Sequence, residues 1–473
     1  MEKFFKFSEK GTTLRTEVIA GCTTFMAMAY ILMVNPGMFS ELGTVSYGAI
    51  YVATALSAVI GTLLIGLIAN MPLAQASGMG LNAFFVYTVC FQLGFTYANA
   101  LLFVLFDGIL FVVLTTTGLR KIIFNAIPAA VKAAIPAGIG MFIAFLGLQD
   151  AGIVVASSST GVTLNSFNLL GSATLGDVMP MIITVLAVIA IAIMMKKNVK
   201  GAILWAILGA AALYYILGFT VKGFYEGMGD SFAAPFKDYF SPFKDFGTQA
   251  VGKVFTEGFN FDAYLAKDGN NTGSLIVTVI TTALAFCMVD MFDTMGTLYG
   301  ACRSGNMLYK NEKGEDEIPN CNKAMLSDAI ATCVGAVCGT STVTTFVESS
   351  SGVAVGGRTG FSAVVTAILF FIAMFFSPIA QLIPACAYAS ALIYVGILMI
   401  GCVKEIDWKD PAVALPAFLT MVMMPFTYNI SYGIAFGLIS YVLVKLVLGK
   451  FKEINIGTYI ITALFILMLF LTH

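Results

Sequence analysis

Histidine is all but missing from this 473-residue chain: the single imidazole belongs to His473, the last residue. That excludes histidine-ligated metals, haem ligation and an imidazole proton relay, so proton chemistry must rest on carboxylates. Charge is scarce as well, with 11% charged residues against 59% hydrophobic ones. A soluble domain carries about 25% charged and about 45–50% apolar residues. Most of this surface must therefore face lipid, and the chain reads as a polytopic membrane protein. It has no basic surplus. The net charge is -1, which leaves no field for nucleic acid. The nine cysteines are odd in number, form no CxxC pair and sit mostly in apolar runs, as free thiols packed like small apolar side chains do. No cleavable leader is expected, because the polar, basic MEKFFKFSEKGTTLR leads into an apolar run that continues to membrane length.

What is present is a series of apolar runs. A hydrocarbon core about 30 Å thick needs about 20 apolar residues as a helix. Candidate spans are 16–34, 47–69, 79–92, 97–117, 131–148, 177–195 and 201–217, then 274–296, 323–339, 347–357, 361–382, 385–402, 411–427 and 430–448. A polar interval, 218–272, separates the two sets, and an apolar run at 456–471 is a fifteenth element that either spans or lies at the surface. Basic residues flank alternate ends: Lys3, Lys6, Lys10 and Arg15 before the first span, Arg120 and Lys121 after the fourth, Lys196, Lys197 and Lys200 after the sixth, and Lys310 and Lys313 after the eighth. All fall inside if the N-terminus is cytoplasmic. Seven is odd, so the second set enters from the opposite side, which is the arithmetic of an inverted repeat. The expected organisation is all-α: a first repeat at 1–217, an extramembrane connection at 218–272 and a second repeat at 273–473.

Two spans are broken. From Pro72 to Gly80, PLAQASGMG makes a poor helix centre. The apolar stretch after it has about 13 residues, rises about 20 Å as a helix and cannot cross alone. In the second half, GTSTVTTFVESSSG sets eight Ser and Thr residues and Glu348 between two apolar stretches. Irregular backbone survives at membrane depth only where protein or a watery cavity satisfies it. A half-helix that starts there aims its amides at that cavity, and a facing pair of half-helices is where a transporter places its substrate.

These residues resemble a family. EVIAGCTTFMAMAYILMVNP, GMGLNAFF, VDMFDTMGTLYG and GTSTVTTFVESSSGVAVGGRTG are similar to the signature segments of the purine-transporting, AzgA-like branch of the nucleobase–cation symporters, relatives of the uracil and xanthine permeases. The resemblance implies fourteen spans in two inverted repeats of seven. It implies a core domain of spans 1–4 and 8–11 that slides against a gate domain of spans 5–7 and 12–14. It also implies proton-coupled uptake of adenine, guanine or hypoxanthine across the plasma membrane, without a cofactor or metal. Its span 8 acid falls on Asp290, its span 10 acid on Glu348, and an implicated Asn on Asn82. The uracil permeases carry a histidine one turn after the span 8 acid; here that place is Thr294, so an imidazole-assisted mechanism does not transfer.

An intramembrane acid is costly and marks function by default, and a carboxylate accepts two N–H donors side by side from a purine edge. Asp290 and Glu348 are therefore expected to bind substrate and carry protons, in an order the sequence leaves open. Asp293 is counted with them in proton coupling, and it either orients the site or bonds the Ser/Thr-rich stretch. Asp107 reads as a structural hydrogen-bonder. Phe25, Phe84 and Phe85 either stack on the base or pack in the core. Guanine and hypoxanthine present N1–H beside O6, whereas adenine sets an acceptor against the carboxylate, at about 1–3 kcal/mol, which favours the first two. A homodimer is left open. Two rivals remain. The sequence GMGD at 227–230 matches an intramembrane aspartyl protease motif but lies in the polar interval. An anion exchanger or channel on the same architecture would place basic or neutral groups at the half-helices.

Overall fold

The computed structural model describes residues 2–117, 127–171, 173–221, 224, 228–267, 271–310 and 316–471; Arg120, Lys121, Gly227, Lys313 and His473 lie outside them. Among the described residues, ten helices are long and apolar enough to cross a bilayer. The first begins as α1 (Leu14–Met28) and resumes as α2 (Ile31–Ser40). Its break falls at Ala29–Tyr30, while Pro36 is accommodated inside α2. Then come α3 (Tyr47–Leu64), strand β1 (Gln75–Ser77), and the short α4 (Met79–Ala83), which widens into a π-helix to Gln92. Helices α5 (Tyr97–Thr117), α6 (Ala129–Asp150), α7 (Leu175–Lys196) and α8 (Ala202–Thr220) follow. The second half holds α9 (Thr272–Ser304), α10 (Cys321–Cys338), β2 (Val343–Thr345), α11 (Ser349–Val355) and α12 (Gly360–Ala373). It ends with α13 (Ala385–Met399), α14 (Pro411–Thr427), α15 (Ile430–Val447) and α16 (Ile456–Leu471). The 456–471 run is thus a helix, packed on α15 and α9.

Capping side chains start several of these helices. Thr13 accepts the amide of Thr16, and Ser46 that of Ala49, both at 3.2 Å. Asn271 and Ser274 cap each other reciprocally at the head of α9. Such caps satisfy amides that the first turn leaves without helical partners.

The two breaks are joined. β1 and β2 pair antiparallel, with Gln75 opposite Thr345 and Ser77 opposite Val343. Two extra bonds extend the pairing, from Gly78 N to Thr342 O and from Phe346 N to Ala74 O, both 3.0 Å. The Thr62 hydroxyl bonds both the amide and the carbonyl of Gln75 at 3.0 Å. Extended backbone has no internal hydrogen bonds, so at this depth each strand must satisfy the other.

Helices α1–α5 and α9–α12 pack largely on one another, while α6–α8 and α13–α15 form a second packed group. Glycine lets the first group close tightly. A methyl added at Gly360 would lie 1.8 Å from Gly66 O, and one at Gly352 would lie 2.1 Å from Thr24 Oγ1. Where no hydrophobic force drives helices together in lipid, such close approach supplies the packing energy. The polar interval is also folded: Pro242 packs against Gly48, and Asp245 accepts a hydrogen bond from Ser46 at 2.9 Å, at the head of α3.

Candidate functional site

A cavity of about 710 Å³ lies where the two broken helices meet, within the about 300–1,000 Å³ usual for small-molecule sites. Gly78, Met79 and Gly80 reach it at the start of α4, and Glu348, Ser350 and Ser351 at the start of α11. Asp293 and Thr297 come from α9, and Tyr30 from the break between α1 and α2. The facing wall is supplied by the second helix group, including Pro136, Val395 and Met399. Met195, Asn198, Val199 and Lys200 also line the cavity and are exposed, so it reaches the surface at the α7–α8 turn.

Two carboxyls face this space. Glu348 accepts a 2.6 Å hydrogen bond from the Tyr30 hydroxyl. Asp293 Oδ2 accepts from Thr344 Oγ1 of β2 at 3.3 Å. A methyl at Gly78 would sit 2.8 Å from Thr344 Oγ1 and 3.7 Å from Asp293 Oδ2, so glycine keeps the space beside this pair open. Each carboxylate has lone pairs left over, and the first amides of a helix have no intrahelical partner. The arrangement can therefore accept N–H groups on one edge of a planar polar molecule and donate to acceptors on another.

Other expected residues surround the cavity without lining it. Asp290 is fully buried and takes a 3.4 Å hydrogen bond from Thr332 of α10. It stands three residues before Asp293, a rotation of about 60° on the helix, which is enough to turn it from the cavity into the helix packing. Thr294 donates to Asp328 at 2.8 Å. Asn82 accepts from Ser77 at 2.7 Å, in a buried chain that continues through Thr340 to Asn35. Phe25 packs edge-on against Phe370, Phe84 edge-on against Phe286, and Phe85 at a tilt on Phe39. Asp293 lines the cavity and also bonds Thr344 of the Ser/Thr-rich stretch. Asp107 is fully buried away from the cavity, and among the described residues no nitrogen or oxygen donor reaches its carboxyl, which faces the Cys287 thiol.

Sequence reasoning missed three residues. Asp328 of α10 holds the site together, accepting from Gln75 at 3.0 Å, Thr345 at 3.2 Å and Thr294, and so ties both strands to α9. Its signal was available, as an acid inside the 323–339 run. Thr297 lies one turn beyond Asp293 on the cavity side of α9; as a threonine in an apolar helix it gave no signal of its own. Tyr30 had no signal in spacing; only the helix break places it.

The far end is closed. Helix α6 ends at Gln149 and Asp150, the end opposite the α7–α8 turn, and the Tyr428 hydroxyl bonds Gln149 there. Thr88 donates to Tyr428 O at 2.7 Å, Asn429 to Gln92 at 3.2 Å, and Tyr87 to Glu41 at 2.8 Å. The Thr88 and Asn429 bonds hold the π-helical extension of α4 against the α14–α15 corner, and the Tyr87 bond ties it to the end of α2.

Residues 15–436 match the model of the Permease family. A guanine/hypoxanthine permease of Bacillus subtilis is 39% identical, over 99% of this chain and 99% of its own. An adenine permease of Escherichia coli is 36% identical, over 99% of this chain and 95% of its own. Among solved structures, the transmembrane domain of a cyanobacterial bicarbonate transporter superposes with a TM-score of 0.57 at 15% identity, covering 89% of this chain and 97% of that one. That likeness concerns the fold alone.

Proposed function

This chain belongs to the Permease family, and from that premise we propose that it is a proton-coupled secondary transporter importing purine nucleobases across the cell membrane. It is a transporter and not an enzyme. The observation that carries the reading is the pair Asp293 and Glu348, set at one cavity between two broken helices, with the cavity open at one end and sealed at the other. A purine edge offers adjacent N–H donors, which a carboxylate accepts as a charge-assisted pair. The amides opening α4 donate to the ring acceptors. Tyr30 holds Glu348 in position, and Thr344 holds Asp293.

The first helix group acts as the core domain and the second as the gate, in fourteen spans arranged as two inverted repeats, with 218–272 as the extramembrane connection. The N-terminus is cytoplasmic, so the cavity beside Lys196, Lys197 and Lys200 faces inward. Transport proceeds by the core sliding along the gate, carrying Asp293 and Glu348 from one face to the other. Asp290, Asn82, Thr294 and Phe25 act from around the cavity, Asp290 with Asp293 and Glu348 in proton coupling. Guanine and hypoxanthine are favoured over adenine because their N1–H matches a carboxylate. The relatives' names include both kinds of base.

Uptake of radiolabelled hypoxanthine, challenged with each unlabelled base with and without a protonophore, tests this reading. Concentrative, protonophore-sensitive uptake blocked best by guanine is expected; uptake indifferent to purines would overturn it. Exchange of anions on the same fold is disfavoured, because two carboxyls at the cavity repel them.

A further inference from the structure

Asp107 is the acid that the site leaves unused. It sits in the middle of α5 and is fully buried, while its neighbours Phe106, Ile109 and Leu110 are exposed on the lipid side. No nitrogen or oxygen donor among the described residues reaches its carboxyl oxygens; the group that bonds them is the Cys287 thiol. Among the described residues, weak or like-signed groups face it. From α9 comes the thiol of Cys287, and from α10 the carboxyl of Asp328 and the thiol of Cys333. A thiol is a weak donor, and Asp328 already accepts from Gln75, Thr345 and Thr294, so it meets Asp107 as a second acceptor of like charge. As a carboxylate, Asp107 would be a bare charge in a low-dielectric setting, a state the surroundings do not offset. A leucine would fill such a place at no polar cost, so the acid has no structural explanation.

Helix α9 connects it to the cavity. Cys287, Asp290 and Asp293 recur every three residues, and each step turns about 60° around the helix. Asp293 faces the cavity. Asp290 faces α10, bonded to Thr332. Cys287 faces Asp107. The Cys333 thiol lies within electrostatic reach of both Asp107 and Asp290. The stripe thus winds from the cavity around to α5.

We propose that Asp107 is the proton-storing residue of the transport cycle, exchanging its proton with the cavity through Asp290 and Asp293. In each exchange the O–H bond of one carboxylic acid breaks as that of its neighbour forms; one proton moves and nothing is oxidised. This rests on the coupled-carrier reading above. Asp293 and Glu348 then contact the base and hand the proton on, while between exchanges it is kept behind α9, away from the cavity.

The test uses purified protein in liposomes, comparing wild type with the isosteric Asp107→Asn and with Asp107→Glu, which keeps a titratable group. Hypoxanthine counterflow without a pH gradient reads binding and movement; accumulation under an imposed pH gradient reads coupling. Asp107→Asn should retain counterflow near the wild-type rate, lose gradient-driven accumulation and show a flat pH profile, and Asp107→Glu should restore accumulation. Wild-type accumulation and pH profile in Asp107→Asn would overturn the assignment. So would loss of counterflow together with accumulation in both variants, which would make Asp107 a packing residue. Failure of the wild type itself to accumulate hypoxanthine under the gradient would remove the carrier reading before any variant is compared.

Discussion

Tyr30 and the acid it holds give the sharpest residue-level expectations. The Tyr30 hydroxyl donates to Glu348 at 2.6 Å, and a hydrogen bond to a charged group contributes about 1.5–3 kcal/mol. Tyr30→Phe should therefore weaken purine binding roughly tenfold or more while leaving the fold intact, as read by equilibrium binding of labelled hypoxanthine. Asp293→Asn and Glu348→Gln should each abolish concentrative uptake while the protein still reaches the membrane. Asp290→Asn should differ, keeping equilibrium binding and losing accumulation, because its side chain meets Thr332 and not the cavity. Equal loss of binding in Asp290→Asn and Asp293→Asn would show that position on the cavity wall is not what separates them.

Among elements, the crossed strands and the glycine contacts carry the site. β1 and β2 are three residues each and would not persist alone; Thr62, Gln75 and Asp328 bond them into the helix packing. The close crossing at Gly66 and Gly360 leaves no room for a side chain, since a methyl at Gly360 would meet a backbone carbonyl that cannot swing aside. Overpacking typically costs about 1–3 kcal/mol. Gly360→Val should lower the unfolding temperature in detergent by several degrees, whereas Gly209→Val, with open space at its α-carbon, should leave it unchanged. The broken helices themselves were legible, from PLAQASGMG and from the Ser/Thr-rich stretch around Glu348, because glycine, proline and hydroxyl side chains disfavour a continuous helix. Their pairing was not, as strand register depends on partners more than 250 residues apart.

At the scale of the molecule, one-sided access is the feature that a carrier requires. Thr88 and Tyr428 meet across the two helix groups at the sealed end. A cysteine pair at these positions, in a background with the nine native cysteines replaced, should cross-link under mild oxidation. The bond should arrest uptake, and reductant should restore it. Full transport with the cross-link in place would mean that the sealed end never opens. In the uncross-linked protein, a cysteine at Ser351 beside Glu348 should react with impermeant reagents from one side or the other according to bound purine.

The sequence alone determined the class of the molecule. Scarce charge, membrane-length apolar runs and two broken spans followed from composition and local preference, which act without regard to the rest of the chain, and the signature segments from their resemblance to a family. It also singled out Glu348, which lines the cavity, because an acid at a helix break is exceptional wherever it falls. Tertiary structure decided which of two acids on one helix meets the cavity. Asp290 and Asp293 are equivalent in type and three residues apart, and the difference between them is the direction in which α9 is turned against α10 and β2. That rotation is set by packing from the whole core: the Asp328 bonds, the strand pairing and the glycine crossings. No local segment encodes it.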